Sequence, residues 1–347
     1  MTKRALVISG GGSRGSFAVG ALGHLMEKAG LDFHLFVGTS TGALIVPPLA
    51  ARGKAGLAQL REEYTTVHTR DIVRERLSNP LKLSLISWYY TDPLAERIRN
   101  GVGEGDFRTI DGSARPVFLT TVNLQTGRLV YFQAGQAQPP VTIDDGDVVR
   151  VTSLQQLHRA MLASSSIPVL MPPVRVPGPQ PDDPFVDGGV REYAPIKIAI
   201  EAGADEIICI VLAPPPKQAP PRPMKLDTVI PILKRTVDLL SNEVGENDIR
   251  LSKLFTDILL YRAEVGARIK EKCGLSDAEV AALLDVPRFR RVFRNAEGEE
   301  RRAVRLCVIR PEAPLQGDTL RFDPKEMTAN LAYGEKCAAA QYPQCFE

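Results

Sequence analysis

ALVISGGGSRG, residues 5–15, is the stretch on which the reading of this chain turns. Ala5, Leu6, Val7 and Ile8 form an apolar run of strand length. The glycines that follow are spaced Gly10-x-Gly12-x-x-Gly15, and a helical run extends from Gly15 to Lys28 with Gly30 as its stop. Strand, glycine turn, helix is the opening unit of a parallel α/β sheet. Such a turn offers backbone N–H groups and a helix N-terminus to an anion. That anion can be the pyrophosphate of a dinucleotide or the oxyanion of an acyl transfer.

The next unit decides between them. Asp32 to Val37 reads as a second strand, followed by Gly38-Thr39-Ser40-Thr41-Gly42 and an apolar run to Arg52. Gly38-x-Ser40-x-Gly42 between a strand and a helix is the pattern of a nucleophile elbow, with the serine held on a sharp turn at the sheet's carboxyl edge. A dinucleotide site instead wants an acid near the end of the second strand to bond a ribose hydroxyl. Asp32 is the one candidate, and it stands at the strand's start, a strand length of about 15–20 Å from that edge. The two motifs together favour acyl transfer. An NAD(P)-binding oxidoreductase remains the competing reading of the Gly10–Gly15 loop.

The bulk composition fits either enzyme. A net charge of +2 over 347 residues argues against a nucleic-acid partner and permits loose attraction to an anionic lipid surface. No apolar run is long enough to span a bilayer. Met1 to Arg4 lead directly into a strand without a signal-peptide pattern, so a cytoplasmic chain is expected. Cys209, Cys273, Cys307, Cys337 and Cys345 are odd in number and widely spaced. They read as free thiols in a reducing compartment rather than a disulfide frame or a zinc site.

Further along, 53–100 reads mainly helical, with breaks at Asn79-Pro80 and Thr91-Asp92-Pro93. Pro116 to Asn123 and Leu129 to Phe132 read as a β-hairpin. Thr152 or Ser153 caps a helix to Ser164. A Pro-rich loop leads to the short strand Phe185-Val186-Asp187, Pro195 opens a helix, and Glu206 to Leu212 is another buried strand. The expected organisation is a core over 5–212, a Pro-rich connector over 213–223 and a mainly helical remainder, 224–347, packed on the same globule. In that remainder Leu226 to Lys272 reads as a long helix. Ser276 and Asp323 each cap a helix, and Arg301 to Arg310 reads as a half-exposed strand. The Arg-rich stretch from Arg288 to Arg305 is broken by acids and reads as a solvated face.

A nucleophilic hydroxyl needs a base. The four histidines, His24, His34, His68 and His158, all precede residue 159, whereas the common hydrolase order places histidine last. Each reads as structural or superficial. Asp187 ends a short apolar strand before Gly188-Gly189, which places a carboxylate at the catalytic edge. It is the better candidate base, although a turn aspartate bonding its own backbone has the same local pattern.

Four blocks now resemble one family. Gly10-Gly11-Gly12-Ser13-Arg14-Gly15, Gly38-Thr39-Ser40-Thr41-Gly42, Ala163-Ser164-Ser165-Ser166-Ile167-Pro168 with Pro172-Pro173, and Asp187-Gly188-Gly189 resemble the patatin-like phospholipases, in that family's order. The resemblance implies a three-layer α/β/α fold with a mainly parallel sheet, related to the α/β-hydrolase nucleophile-elbow architecture. It implies a Ser40–Asp187 dyad acting on fatty acyl esters of phospholipid or lysophospholipid, without a metal or organic cofactor. It implies an oxyanion hole built from Gly11, Gly12 and their neighbours in the loop Gly10, Gly11, Gly12, Ser13, Arg14 and Gly15. Arg14 would brace that loop or meet a phosphate. An acyltransferase using the same serine, and an inactive interaction module, are the other classes kept open. Leu85 to Tyr90, with the sole tryptophan, reads as a packed helix end, with a lid or interfacial anchor as the alternative. Oligomeric state is left open.

Overall fold

The computed structural model of the chain describes residues 2–76, 86–137, 140–178, 181–215, 226–294, 298, 300–301 and 303–346. Asn79-Pro80, Leu85 and most of the Pro-rich connector lie outside the described residues. So do parts of the Pro168–Pro184 loop and of the Arg-rich stretch.

The chain opens with β1 (Arg4–Ile8), α1 (Gly15–Leu22), β2 (Leu35–Thr39), α2 (Thr41–Arg52) and α3 (Lys54–Thr66). A two-residue pair, β3 (Arg74–Glu75) and β4 (Tyr89–Tyr90), precedes α4 (Asp92–Gly101) and α5 (Glu104–Asp111). Next come β5 (Val117–Asn123), β6 (Leu129–Ala134), β7 (Gly146–Arg150), α6 (Leu154–Ser164), β8 (Val174–Arg175) and β9 (Pro184–Asp187). The remainder holds α7 (Ile196–Glu201), β10 (Glu206–Ile210), α8 (Val229–Cys273), α9 (Asp277–Leu284), α10 (Arg290–Phe293), β11 (Arg305–Ile309) and α11 (Pro324–Gln341).

Among the described residues the main sheet runs β11-β10-β1-β2-β5-β6-β7, parallel from β11 to β5. The expected hairpin is present as the antiparallel pair β5–β6, and β9 adds antiparallel to the far end of β5. Alternate residues of β1 serve opposite faces, as strand geometry requires. Leu6 and Ile8 join one core with Phe17 of α1, Val46 of α2, Leu157 of α6 and Met327 of α11. Ala5 and Val7 join the other with Ile198 of α7 and Ile249 of α8. The result is the three-layer α/β/α arrangement.

Several local expectations shift. The second strand starts at Leu35 and not at Asp32. The helix expected through Lys28 changes to a π-helical turn from Gly23. The strand β7 was not anticipated. Its burial is partial along most of its length, which leaves only weak alternation in Gly146–Arg150. The cap of α6 is Ser153, whose Oγ accepts from the Gln156 N–H at 3.2 Å. Asp323 and Ser276 cap their helices as expected.

The cysteine reading needs correction. Cys307 on β11 and Cys345 in the turn after α11 form a disulfide. Thirty-eight residues separate them in sequence, and only the return of α11 along the sheet edge brings their Cα atoms to 5.0 Å. Cys209, Cys273 and Cys337 are free, and Cys209 is buried as expected. Burial pushes its thiol well above the usual range, as for an inert core cysteine.

Candidate active site

Ser40 sits between β2 and α2 at φ 56°, ψ −120°. A non-glycine residue held there stores about 1–3 kcal/mol of backbone strain, which the surrounding packing must sustain. The glycines on either side make that packing possible. A Cβ on Gly42 would lie 2.2 Å from the Ile8 carbonyl oxygen, and one on Gly38 would lie 2.4 Å from the Gly42 carbonyl carbon. The elbow therefore rests backbone on backbone against the end of β1. The Ser40 N–H donates to Ser164 Oγ at 3.0 Å, and Ser164 Oγ donates to the Thr120 carbonyl at 2.7 Å.

Asp187 reaches the same point from the opposite direction along the sheet. Antiparallel pairing of β9 with β5 sets Asp187 against Thr121. Its N–H donates to the Ser166 carbonyl at 2.9 Å, and its Oδ1 accepts from the Gly189 N–H at 2.8 Å. The Ser40 side chain and this carboxylate line the same small cleft. Burial raises the Asp187 pKa to about 6, and the neighbouring Ser40 hydroxyl and the Gly189 N–H keep it from going higher. The structure thus brings Ser40 and Asp187 together. The Ser164–Ser166 run touches both: its first hydroxyl holds the elbow amide and its last carbonyl holds the aspartate amide.

The glycine loop lies against the elbow, since a Cβ on Gly10 would meet Ser40 Cβ at 3.2 Å. Its amides divide into two groups. Those of Gly10, Ser13, Arg14 and Gly15 donate to the carbonyls of Tyr193, Thr319, Gly11 and Gly12, respectively. Those of Gly11 and Gly12 have no acceptor among the described residues. This narrows the expected donor set from six residues to two, because a short turn closing onto itself and its neighbours consumes the other N–H groups. Gly12 has φ 57°, and a Cβ there would lie 1.9 Å from the Thr319 carbonyl oxygen. Gly12→Ala is expected to displace the loop and lower activity about 10²-fold, read as kcat on a soluble ester.

Two clefts meet at Ser40. The larger, about 90 Å³, is apolar and runs between α2, α3, α4 and α6, with Leu44, Leu60, Val67, Leu94, Ile98 and Met161 among its walls. The smaller, about 30 Å³, carries Gly11, Asp187, Tyr193, Ser241 and Asn242. None of the four histidines lines either cleft. His158 Nε2 is bonded to the Val102 carbonyl at 2.7 Å, and His34 Nδ1 accepts from the Arg4 N–H at 3.3 Å. Asp32 lies at the far end of β2, paired with Arg115 at 2.8 Å, and lines neither cleft.

Groups that carry no motif also converge here. Arg14 pairs with Asp238 of α8 at 3.2 Å. Burial works against the guanidinium charge, and Asp238, Tyr193 and Asp318 outweigh it. Behind the aspartate, Asp248 of α8 accepts from the N–H groups of Tyr193 and Ala194, both at 2.9 Å. Burial lifts Asp248 to about 7, and lifts Glu192, bonded to the Tyr131 hydroxyl, to about 8. Arg14 belongs to the glycine block, but in sequence none of Asp238, Asp248 and Glu192 has a flanking pattern that singles it out. Of the Leu85–Tyr90 stretch, Trp88 and Tyr89 donate their N–H groups to the Val169 and Leu170 carbonyls, and Ile86 is 69% exposed.

Comparison with known proteins identifies the family. The family model for patatin-like phospholipases matches residues 6–200. A curated relative, the cGAMP-activated phospholipase of Escherichia coli (strain TW11681), is 30% identical over 183 residues, 49% of this chain and 48% of the relative. The chain thus spans about half the length of the curated relative it matches. Among solved structures, VipD from Legionella pneumophila aligns over 99% of this chain and 67% of its own, at 11% identity and a TM-score of 0.42. More than half of this sequence lies within the family match, and the chain belongs to the patatin-like phospholipases.

Proposed function

We propose that this protein hydrolyses fatty acyl esters of membrane-derived lipids, phospholipid or lysophospholipid, through Ser40 and Asp187. Family membership implies lipid hydrolysis in general. The observation that carries the finer reading is the convergence of Ser40 and the buried Asp187 carboxylate on one cleft, at the junction of an apolar cleft and two unengaged amides.

In this reading Ser40 Oγ attacks the ester carbonyl carbon while its proton passes to Asp187. A hydroxyl is a far weaker acid than a carboxyl, so transfer and attack are concerted, and a carboxylate lifted to about 6 is a better base than an ordinary one. The carbonyl oxygen becomes an oxyanion facing the Gly11 and Gly12 amides, each worth about 3 kcal/mol. Collapse expels the alcohol, which takes the proton back from Asp187. Water, deprotonated by Asp187, then attacks the acyl-serine, and as the fatty acid leaves the proton returns from Asp187 to Ser40 Oγ. An alcohol in place of water would make the same site a transferase. The acyl chain occupies the larger cleft. Arg14 is bound to Asp238, which favours its bracing role over contact with a phosphate.

The test is a mixed phospholipid and lysophospholipid panel, with released fatty acids read by mass spectrometry. It is run with and without cGAMP, because the name of the E. coli relative specifies that activator. Fluorophosphonate labelling of the wild type that disappears in Ser40→Ala supports the reading. No release and no labelling under either condition defeats it.

The cleft sets a chain-length prediction. Leu44 lies one turn after Ser40 on α2 and lines the apolar cleft. A buried methylene contributes about 0.8 kcal/mol, so a Leu44→Trp side chain that excludes three methylenes lowers kcat/KM for long-chain esters about 50-fold. Butyrate esters stay within about twofold. Equal loss on both would mean that the acyl chain lies elsewhere.

A further inference from the structure

The glycine loop is held from outside the region that matches the family. Ser13 donates its amide to the Thr319 carbonyl and its hydroxyl to the Asp318 carbonyl, each at 2.9 Å. Arg14 meets one carboxylate oxygen of Asp238 at 3.2 Å, and the Thr319 hydroxyl donates to the other at 2.7 Å. Lys234, one turn earlier on α8, reaches the Asp318 carboxylate at 3.3 Å. One side chain, Asp238, therefore ties the loop's arginine to the segment that grips the loop's serine. Both partners of the Arg14–Asp238 pair are only 17% exposed. The same turn of α8 supplies Val237, Asp238, Ser241 and Asn242 to the smaller cleft beside Ser40 and Asp187.

We propose that Asp238 is a positioning residue of the acyl-transfer site. By bridging Arg14 and Thr319 it fixes the backbone that leaves the Gly11 and Gly12 amides free beside Ser40. It rests on the Ser40–Asp187 reading for its chemistry, but the clamp itself does not need that reading. The oxyanion donors work only when α8 is docked, so α8 and the Asp318–Thr319 segment complete an active centre that the family-matched segment lacks on its own. The physical reason is the loop's composition. Four glycines in six residues leave the backbone many conformations of similar energy, and each bond from Ser13 and Arg14 to the later segments removes some of them.

The experiment compares Asp238→Asn, Thr319→Val and the double variant Arg14→Met/Asp238→Leu with the full-length wild type. The double variant replaces a buried ion pair by apolar groups of similar volume, a change that folds tolerate well. Kinetics use p-nitrophenyl butyrate. Hydrogen exchange is read on the peptide covering 9–16 and on one within α8, 249–259. The expected result is a kcat about 10²-fold lower in Asp238→Asn and in the double variant, with KM within about twofold. Exchange in 9–16 is expected to be at least tenfold faster, with 249–259 and the thermal midpoint unchanged. Thr319→Val falls between these and the wild type. A double variant with wild-type kcat would mean that the pair only neutralises charge, and would overturn the proposal. Unchanged exchange in 9–16 overturns it too, whatever the enzyme's activity. A wild type inert to esters and fluorophosphonate defeats the acyl-hydrolase reading instead, and the exchange comparison still decides the clamp.

Discussion

Ser40→Ala lowers kcat/KM for every ester substrate by about 10⁴- to 10⁶-fold, and the chain keeps its fold. Among the described residues no other hydroxyl-bearing side chain lines both clefts. Whatever activity persists measures what the Gly11 and Gly12 amides and the apolar cleft achieve without a nucleophile. Alanine meets the same backbone strain as serine at φ 56°, so stability should change little. Glycine does not meet it. Ser40→Gly should be as inactive as Ser40→Ala yet more stable by about 1 kcal/mol, read from urea unfolding. A Ser40→Ala enzyme with more than a tenth of wild-type turnover would place the nucleophile elsewhere.

Asp187→Asn costs about 10³- to 10⁴-fold in kcat/KM and leaves substrate binding nearly intact. Asparagine keeps an oxygen for the Gly189 N–H but cannot take the Ser40 proton. In the wild type, kcat/KM on a soluble ester should fall tenfold per pH unit below about pH 6, where the carboxylate becomes protonated. Stability carries the opposite signature. The folded pKa, about 6, lies above the ordinary 3.8, so the folded state binds the proton more tightly than the unfolded one. The stability this contributes is fully present below about pH 4 and is lost as pH rises through about 6. At pH 7 the wild type therefore holds an ionised, desolvated carboxylate at a cost of about 3 kcal/mol. Asp187→Asn removes it and should be the more stable protein at pH 7, with the difference closing near pH 4. Glu192 and Asp248, also lifted by burial, titrate in both proteins and cancel in the comparison. A variant no more stable than the wild type at neutral pH would contradict the account of Asp187 as buried and poised.

Much of this centre is legible in short stretches because its parts are local. A strand followed by Gly38-x-Ser40-x-Gly42 makes an elbow whatever else the chain does, since the turn needs only small neighbours and an apolar strand behind it. The helix caps at Ser153, Ser276 and Asp323 are equally local and fall where the residues place them. Local pattern fails where partners come from afar. Nothing around Cys307 announces Cys345, and nothing in Ser164 announces that its hydroxyl will hold the Ser40 amide, 124 residues earlier. The glycine loop is the instructive intermediate. Its six residues can be read as an anion cradle, but which amides remain free depends on Tyr193 and Thr319, whose carbonyls engage two of the others.

By itself the amino-acid order determines the alternation of strands and helices, the place of the sharp Gly38–Gly42 turn and an aspartate at a strand end before two glycines, because period, glycine spacing and chain order are properties of neighbours. The family match over residues 6–200 rests on that information. Only the tertiary structure decides that Ser40 and Asp187 share a cleft, that the Asp187 carboxyl is dry enough to hold a proton near pH 6, and that Asp238 of α8 bonds Arg14 and Thr319. Desolvation and hydrogen-bond competition depend on every group that packs around a site, and those groups are drawn from all along the chain.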